Sequence, residues 1–485
     1  MNYRMIFSIL GKVLCVEAAF MLPALVISLC CGERAAVFGF ALTVLLLAAL
    51  GVPLALLRVK RKEIFARDGL VTVGLVWLTV SLFGALPFFF SRTIPSYIDA
   101  LFETASGFTT TGATILTEIA SLPRGILYWR SFTHWLGGMG VLVFLLILSP
   151  FGQGSGGEAM HLLRAESPGV KIAKLVPRMR RSTGILYLIY VGLTVIMFLF
   201  LIAGKMPVFD SVCMALGVAG TGGFSVLNDS AAAYSPYCQW VITAFMLLFG
   251  VNFNIYFLLL LREAKRALRN EELRIYGAIV VAATAVITVN LLGTFATIGE
   301  TVRHAAFQVA AVMSTTGLTT VDFNKWPELS KTILVLLMFC GACAGSTAGG
   351  LKVVRVAMIF KSVRSSIHKV LHPNAVCLMR MDGEVLDEET ARSVNSYLIV
   401  YWLVLLGTLL LVSLDGMDFA TNFTASLTCL NNVGPGLNVV SPAGSFAPYS
   451  GFSKLVFTFA MLTGRLELYP MLALLCPSAW KKISK

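Results

Sequence analysis

The chain has 485 residues, of which 57% are hydrophobic and 13% are charged, and its formal net charge is +13. This balance is more apolar than the core of a soluble globular protein requires. Apolar runs of about 20 residues, each long enough to cross a hydrocarbon layer as a helix, recur from end to end. Composition therefore excludes a soluble protein and predicts an all-α polytopic membrane protein. The longest polar stretch, 361–393, is too short to bury its own core, so a nucleotide-handling domain is expected only on a partner.

Basic residues are concentrated in alternate loops. They cluster at 58–67 and 164–181, and again at 262–274, at 352–392 and in the C-terminal tail. Loops rich in Lys and Arg stay on the cytoplasmic side of membrane proteins. We therefore attribute the positive charge to loops at the cytoplasmic face of the membrane and expect no nucleic acid as a partner. The alternation of these loops along the chain predicts that both termini are cytoplasmic.

A long helix, a short helix, a polar loop and a second long helix follow one another four times. In the first copy these elements are expected at about 70–90, 98–108, 109–114 and 126–150. Copies spaced by about 95 to 115 residues are too long for solenoid units and indicate one membrane module copied four times. The second long helices of the other copies are expected at 236–261, 327–360 and 450–475. The expected repeats are 63–160, 161–268, 269–370 and 371–485, preceded by two extra transmembrane helices within 1–62.

The four polar loops, here named the filter loops, align on one glycine each. They contain Thr110, Thr111, Gly112 and Ala113 in the first copy, Thr221, Gly222, Gly223 and Phe224 in the second, Thr315, Thr316, Gly317 and Leu318 in the third, and Asn432, Val433, Gly434 and Pro435 in the fourth. Two registers are open in the second loop, with Gly222 as the alternative to Gly223. Gly223 is favoured because it lies 13 residues after Asp210. Gly112 likewise lies 13 residues after Asp99.

Irregular backbone at membrane depth is tolerated only where it is buried in protein or lines a water-filled cavity. Four such loops predict a shared cavity, in which glycine permits rows of inward carbonyls that replace the water around a cation. The C-terminal ends of the short helices add negative dipole charge nearby. A single Thr-Thr-Gly is more often an ordinary turn, but four in equivalent places favour an ion filter. Acidic residues expected near the outer mouth would concentrate cations there: Asp99, Glu103, Glu118, Asp210, Asp229, Glu300, Asp322, Asp415 and Asp418.

The filter loops, with the segments 106–114 and 464–467, resemble those of the TrkH and KtrB potassium translocation subunits. The resemblance covers essentially the whole chain, and the two leading helices make it closer to TrkH. In that family a glycine in all four filters accompanies potassium selectivity. The resemblance therefore implies potassium uptake across the bacterial inner membrane, with potassium bound at the filter residues. It also implies a homodimer on a cytoplasmic, TrkA-like ring that binds nucleotide, and no prosthetic group on the chain itself.

Closely spaced glycines at 340–350 interrupt the last long helix of the third copy, and glycine at this density breaks a helix. A mobile gating loop beneath the filter is the functional interpretation, which the resemblance supports. Close packing between helices through small residues is the alternative. The candidate gating residues of this segment are Gly345, Ser346, Thr347, Gly349 and Gly350.

Arg465 is expected in the middle of the second long helix of the fourth copy, where an ionisable group is a functional candidate. We expect it to project toward the pore below the filter and to gate it. A structural ion pair with Glu467 is the alternative. Arg130 and His134 in the first copy are expected to pack or cap rather than to conduct.

Two other functional classes compete with a channel-like pathway. A secondary symporter that couples potassium to protons or sodium through the same filter is the alternative. The usual inverted repeats of such transporters are not expected, because these four copies run in the same orientation. An enzyme is not expected, since the spans contain no Ser/His/Asp set. Cys340 and Cys343 have the spacing of a metal pair, but no second pair or histidine accompanies them.

Overall fold

The computed structural model describes residues 2–57, 66–140, 179–373, 379–385 and 388–480. Helices dominate this part of the chain. Six of them are long and apolar enough to cross a membrane, and a further candidate consists of two helices bent by 89°. The predicted all-α, multi-pass architecture is confirmed. Several expected features lie outside the described residues, namely the basic loops at 58–65 and 164–178, the helix end at 141–150 and the tail at 481–485.

The first two helices form a hairpin that is tied to the first repeat. They are α1 (Tyr3–Cys30) and α2 (Arg34–Ala55). A β-carbon at Gly11 would lie 2.4 Å from the backbone nitrogen of Ala55, so glycine is what lets the two helices approach this closely. In the turn between them, the Glu33 carboxylate accepts hydrogen bonds from the backbone N–H groups of Arg124 (2.6 Å) and Gly125 (3.2 Å). Glu33 thus satisfies two free donors at the start of the helix that begins at Arg124.

The first two repeats follow the predicted order of long helix, short helix, loop and second helix. The first contains α3 (Ala66–Gly84), α4 (Leu86–Phe90), the short helix α5 (Tyr97–Phe108) and α6 (Arg124–Met139). The second contains α7 (Met179–Ala203), the short helix α8 (Val208–Ala219), α9 (Pro236–Phe249), α10 (Phe253–Leu260) and α11 (Ala264–Arg269).

The third and fourth repeats have the same order. The third contains α12 (Glu271–Asn290), the short helix α13 (Ile298–Met313), α14 (Glu328–Cys340) and α15 (Val353–Leu371). The fourth contains α16 (Glu388–Val412), the short helix α17 (Phe419–Asn431), α18 (Gly451–Arg465), α19 (Tyr469–Leu475) and α20 (Pro477–Trp480). The repeat limit expected at 370 falls in the last turn of α15.

Side-chain caps define where three of the four short helices begin. Ser96, Thr297 and Asp418 each accept a hydrogen bond from the backbone N–H three residues later, at the starts of α5, α13 and α17. Such a cap satisfies one of the first N–H groups, which have no partner within the helix. The remaining short helix, α8, begins after Pro207, which presets the backbone for helix entry.

A small hairpin joins α15 to α16. Its strands, β1 (Arg380–Met381) and β2 (Glu384–Val385), pair antiparallel, and the two turn residues between them have positive φ values of 52° and 84°. Asp382 in this turn accepts hydrogen bonds from the Asn270 side chain (3.0 Å) and the Glu271 backbone (2.6 Å). The hairpin is therefore fixed to the start of α12.

Two second helices predicted to be continuous are broken. The helix expected at 236–261 bends by 89° between α9 and α10, after Gly250. Backbone groups at the bend pair with the third repeat instead: the Cys343 N–H donates to the Gly250 carbonyl (3.1 Å), and the Phe253 N–H donates to the Gly345 carbonyl (3.0 Å). The prediction failed here because these partners lie about 90 residues away along the chain.

The helix expected at 450–475 also ends early, at Arg465. Glu467 and Leu468 follow with positive φ values of 54° and 72°, so the helix cannot continue through them. Leu468 is fully buried, and its N–H donates to the Thr463 carbonyl at 2.8 Å. Tertiary packing therefore holds a turn that the apolar sequence alone does not indicate.

Candidate functional site

The same turn ends all four short helices. One residue of this turn, one or two positions after the last residue of the helix, takes a left-handed conformation with φ between 55° and 57°, although it is not glycine. The next backbone N–H donates to the carbonyl five residues earlier at 2.8–3.0 Å, which satisfies a free carbonyl of the helix end. The left-handed residues are Thr110, Thr221, Thr315 and Asn432. Each of them is fully buried, so the surrounding protein holds a conformation that such residues rarely adopt.

Four glycines, here named the ring glycines, lie two residues beyond these positions and face the neighbouring loop. A β-carbon on any of them would lie 2.0–2.7 Å from a backbone atom of the next loop, a distance at which no side chain fits. The contacts run from Gly112 to the Gly223 nitrogen, from Gly223 to the Thr316 oxygen, from Gly317 to the Val433 oxygen, and from Gly434 to the Thr111 oxygen. The four loops therefore close a ring in which glycine is sterically required.

The second loop enters this ring through Gly223 and not through Gly222. A β-carbon at Gly222 would instead lie 2.3 Å from the His134 ring, on α6. Gly223 also differs from the other ring glycines, because it lacks the positive φ of 71° to 101° that they share. The second loop thus reaches the same position with a different backbone conformation.

One cavity adjoins the ring on the side of the residues that follow the glycines. All four ring glycines line it, together with Ala113, Phe224 and Pro435. The side chain of Leu318 is 1% exposed and packs in the core against the second repeat, so its backbone alone is available to the ring. The predicted filter residues of all four loops are thus brought to one place.

Hydroxyl and amide groups of the residues before the ring glycines make contacts within the loops and, in one case, between two of them. The Thr111 hydroxyl lies 2.7 Å from that of Thr109, and in the third loop the Thr316 hydroxyl lies 2.7 Å from that of Ser314. The Asn432 side chain of the fourth loop donates to the Thr111 hydroxyl at 2.9 Å. The first and fourth loops are therefore joined by a side-chain contact as well as by the ring.

A segment without regular structure, 341–352, separates α14 from α15 and is here named the intramembrane loop. It lies directly beneath the ring, because the Gly349 N–H donates to the Thr315 hydroxyl at 2.8 Å. A β-carbon at Gly349 would lie 2.5 Å from the backbone carbonyl oxygen of Asn431. Gly345 and Gly350 have positive φ values of 72° and 77°. The helix interruption predicted from the glycines is present, and it contacts two filter loops.

Arg465 lies at the C-terminal end of α18 rather than in the middle of a helix. Its guanidinium donates to the Thr347 carbonyl of the intramembrane loop at 2.6 Å and to the Gly138 carbonyl at the end of α6 at 2.9 Å. Glu467, the alternative partner considered for it, forms an ion pair with Arg355 on α15. Arg465 therefore connects the intramembrane loop to the first repeat through backbone carbonyls.

Two buried charged residues that the sequence did not single out hold the ends of the intramembrane loop. Glu272 on α12 accepts hydrogen bonds from the N–H groups of Ala344 (2.6 Å) and Val354 (3.2 Å). The Lys352 ammonium donates to the Ala348 carbonyl within the loop. An acidic residue in the first turn of a helix is ordinarily a dipole partner, so the position of Glu272 carried no signal of this contact.

The acidic residues expected at the outer mouth are only partly available to cations. Glu103 is fully buried and forms a 2.7 Å ion pair with Arg130, and Asp99 pairs with Lys454 at 2.7 Å. Both carboxylates are thereby neutralised. Asp418 is exposed to solvent, and hydrogen bonds from Thr421 hold the pKa of its carboxyl below the usual range. It remains ionised at neutral pH.

No group of three or more His, Cys, Asp or Glu residues that could hold a metal ion occurs in the described part of the chain. Cys340 and Cys343 are free thiols, one half-buried and one buried.

The sequence and the fold are both similar to those of known transport proteins. The TrkH family, described as a cation transport protein, matches residues 37–481. The Trk system potassium uptake protein TrkH of Salmonella typhimurium is 37% identical over 434 residues, which is 88% of each chain. TrkG of Escherichia coli, another Trk system potassium uptake protein, is 30% identical over 488 residues and 99% of each chain.

Among solved structures, the crystal structure of the potassium transporter TrkH from Vibrio parahaemolyticus is similar with a TM-score of 0.88. Its sequence is 30% identical, and the match covers 99% of this chain and 100% of that one. The family consists of transporters, which confirms the expectation that the protein is not an enzyme. By sequence and by fold, this multi-pass membrane protein belongs to the TrkH family of cation transport proteins.

Proposed function

We propose that this chain takes up potassium through the ring formed by the four filter loops. The observation that carries the proposal is the contact of each ring glycine with the backbone of the next loop. With no side chain at these positions, carbonyl oxygens are the groups left to replace the water around an entering cation. Potassium is favoured as the ion because all four positions are glycine and because similar proteins are named for potassium uptake.

Electrostatics below the ring favour a cation. The four short helices end at the ring, and each brings about half a negative charge at its C-terminus. Three buried oxygens at these helix ends have no hydrogen-bond partner in the described part of the chain: Thr110 Oγ1, Asn431 Oδ1 and Asn432 Oδ1. Burying a polar oxygen without a partner is costly, so these atoms suit a site occupied by water or a cation.

The intramembrane loop and Arg465 are proposed as the gate. The loop is bonded to Thr315 and lies against Asn431, so it occupies the path immediately below the ring. Arg465 adds a positive charge there through its contact with Thr347. Movement of the loop away from the ring would remove both the steric and the electrostatic barrier.

We further propose an inner-membrane protein with both termini in the cytoplasm, assembled as a homodimer on a nucleotide-binding, TrkA-like ring. The clustering of basic residues in alternate loops supports the orientation. The distal part of α15 exposes the apolar residues Phe360 (72%) and Val370 (80%) beside basic ones, which suits a protein partner. Similar proteins are named as parts of a Trk system, which supports further components.

The test is the reversal potential of the purified protein in liposomes with potassium, sodium and proton gradients set independently. Uptake through a selective filter predicts a reversal potential that follows the potassium gradient alone. A reversal potential that also moves with pH or sodium would favour the symport alternative. Equal permeability to sodium and potassium would overturn the proposed filter.

A further inference from the structure

A buried ion pair lies behind the first two filter loops. Glu103 on α5 is 0% exposed and Arg130 on α6 is 1% exposed. The Arg130 guanidinium donates to the same Glu103 carboxylate oxygen through Nε at 2.9 Å and through Nη2 at 2.7 Å. A buried pair of this kind costs desolvation energy, and its geometry is fixed only if further bonds satisfy both ions.

Those further bonds reach both filter loops. The Glu103 carboxylate accepts from the Thr114 hydroxyl at 2.9 Å and from the Ile115 N–H at 3.0 Å, just beyond the first ring glycine. Arg130 donates to the Ser225 carbonyl at 3.3 Å, and its guanidinium lies 4.0 Å from the centre of the Phe224 ring. One ion pair therefore contacts the outer side of the first loop and of the second loop.

His134, one turn further along α6, makes a second connection between the same loops. Its Nδ1 lies 2.8 Å from the Gly107 carbonyl at the end of α5, and the Phe224 N–H donates to its Nε2 at 3.2 Å. A carbonyl can only accept, so Nδ1 carries the proton and Nε2 is the acceptor. The imidazole is thus neutral, and it holds the backbone of the residue directly after Gly223.

These contacts act next to Gly223, the one ring glycine whose backbone conformation differs from that of the others. Gly223 lacks the positive φ of the other three, and the next residue, Phe224, is held by His134 through its N–H and by Arg130 through its ring. The orientation of the peptide between Gly223 and Phe224 is therefore set by side chains of the first repeat.

We propose that Glu103, Arg130 and His134 are positioning residues that fix the spacing of the first two filter loops and thereby the ion selectivity of the ring. The inference rests on the proposed potassium filter and goes beyond it, because it assigns part of the selectivity to residues that do not line the ring itself. Carbonyl positions decide which cation is preferred, so a small displacement of the second loop changes selectivity before it unfolds the protein.

The test compares bi-ionic reversal potentials for potassium and sodium of folded variants in liposomes. The double variant Glu103→Gln with Arg130→Gln removes the pair while leaving the net charge unchanged. The potassium-to-sodium permeability ratio should fall on the order of tenfold, the effect of one lost charge-assisted hydrogen bond. Arg130→Lys keeps the charge but neither the two-pronged contact nor the stacking on Phe224, so it should give an intermediate ratio.

A matched control exists about one turn earlier on the same short helix. Asp99 pairs with Lys454 at 2.7 Å in the first turn of α5, and along the helix it lies one turn further from the filter loop than Glu103. Asp99→Asn with Lys454→Gln also removes one ion pair without a net charge change, although Asp99 is only partly buried. This double variant should lower thermal stability and leave the permeability ratio unchanged. An equal fall in both double variants would overturn the proposal.

His134 variants keep the proposal testable if the Glu103 and Arg130 variants do not fold. His134→Gln retains a donor and an acceptor and should keep a higher permeability ratio than His134→Phe, which retains neither. If the wild type prefers potassium and the folded His134→Phe and Arg130→Lys variants keep its permeability ratio, this inference is wrong while the proposed function stands. A wild type that does not prefer potassium would overturn the proposed function and the inference with it.

Discussion

The backbone N–H of Gly349 donates a 2.8 Å hydrogen bond to the hydroxyl of Thr315, and this bond ties the intramembrane loop to the third filter loop. Thr315 is fully buried with φ of 57°, so its position is fixed by the turn that ends α13. The bond joins the proposed gate to the proposed filter.

Replacing this hydroxyl should loosen the gate. Thr315→Val keeps the branched shape but leaves the buried Gly349 N–H without an acceptor, at a cost of about 1–3 kcal/mol to the closed arrangement. We expect a higher basal potassium flux in liposomes without any regulatory partner. Thr315→Ser, which retains the hydroxyl, should match the wild type, and equal fluxes for Val and Ser variants would contradict this role.

Gly112→Ser should weaken discrimination against sodium. Its β-carbon would lie 2.6 Å from the Gly223 nitrogen, so the second loop must move and the carbonyls of the ring must shift with it. Bi-ionic reversal potentials measure the effect. Gly407→Ser is the control, because a β-carbon there meets no heavy atom within 4 Å. Wild-type selectivity in a folded Gly112→Ser protein would count against the assigned ring.

Substitutions of glycine within the intramembrane loop should change gating and leave selectivity intact. Gly349→Ala places a β-carbon 2.5 Å from the Asn431 oxygen, and Gly345→Ala strains a residue with φ of 72°. Both should displace the loop from the ring. The open probability in single-channel recordings, or the basal flux in liposomes, should change. The potassium-to-sodium permeability ratio should stay at its wild-type value. A changed ratio with unchanged gating would show that the loop belongs to the filter instead.

Removing Glu272 should free both ends of the intramembrane loop. The same carboxylate oxygen, Oε1, accepts from Ala344 and Val354. Glu272→Ala leaves these two N–H groups, one on half-buried Ala344 and one on buried Val354, without this acceptor, at a cost of up to about 1–3 kcal/mol each, and should lower the melting temperature and raise basal flux. Glu272→Gln retains an oxygen that can accept these hydrogen bonds, so its melting temperature and basal flux should stay close to those of the wild type. Similar melting temperatures for Ala and Gln would argue against this contact.

Arg465→Ala should raise basal potassium flux. Two unit charges about 8 Å apart at an effective dielectric near 20 repel by roughly 2 kcal/mol, which corresponds to about 30-fold in rate. The substitution also removes the hydrogen bonds to the Thr347 and Gly138 carbonyls. Glu467→Gln is the control, because it weakens the pair with Arg355 and leaves the Arg465 charge in place. A folded Arg465→Ala protein that carries potassium no faster than the wild type would show that Arg465 is structural.

Much of the architecture could be predicted from local sequence signals. Apolar runs of membrane length, the fourfold order of long and short helices, and a glycine at each filter loop are properties of neighbouring residues, and each one survives in the structure. An interruption at 340–350 is likewise predicted, since clustered glycines destabilise a helix wherever it lies, and the structure has it at 341–352. Arg465 could be singled out because a charge in an apolar run is costly in any fold.

Tertiary structure alone decided which residues meet. The register of the second loop follows from the contact of Gly223 with the loops before and after it, and spacing could only favour it. Glu103 was expected at a mouth open to cations and is instead buried against Arg130. Arg465 contacts carbonyls more than 100 residues away along the chain, and Asn432 contacts Thr111 across more than 300. Such partners are brought together by the packing of four separate repeats, and no local periodicity or spacing along the chain specifies them.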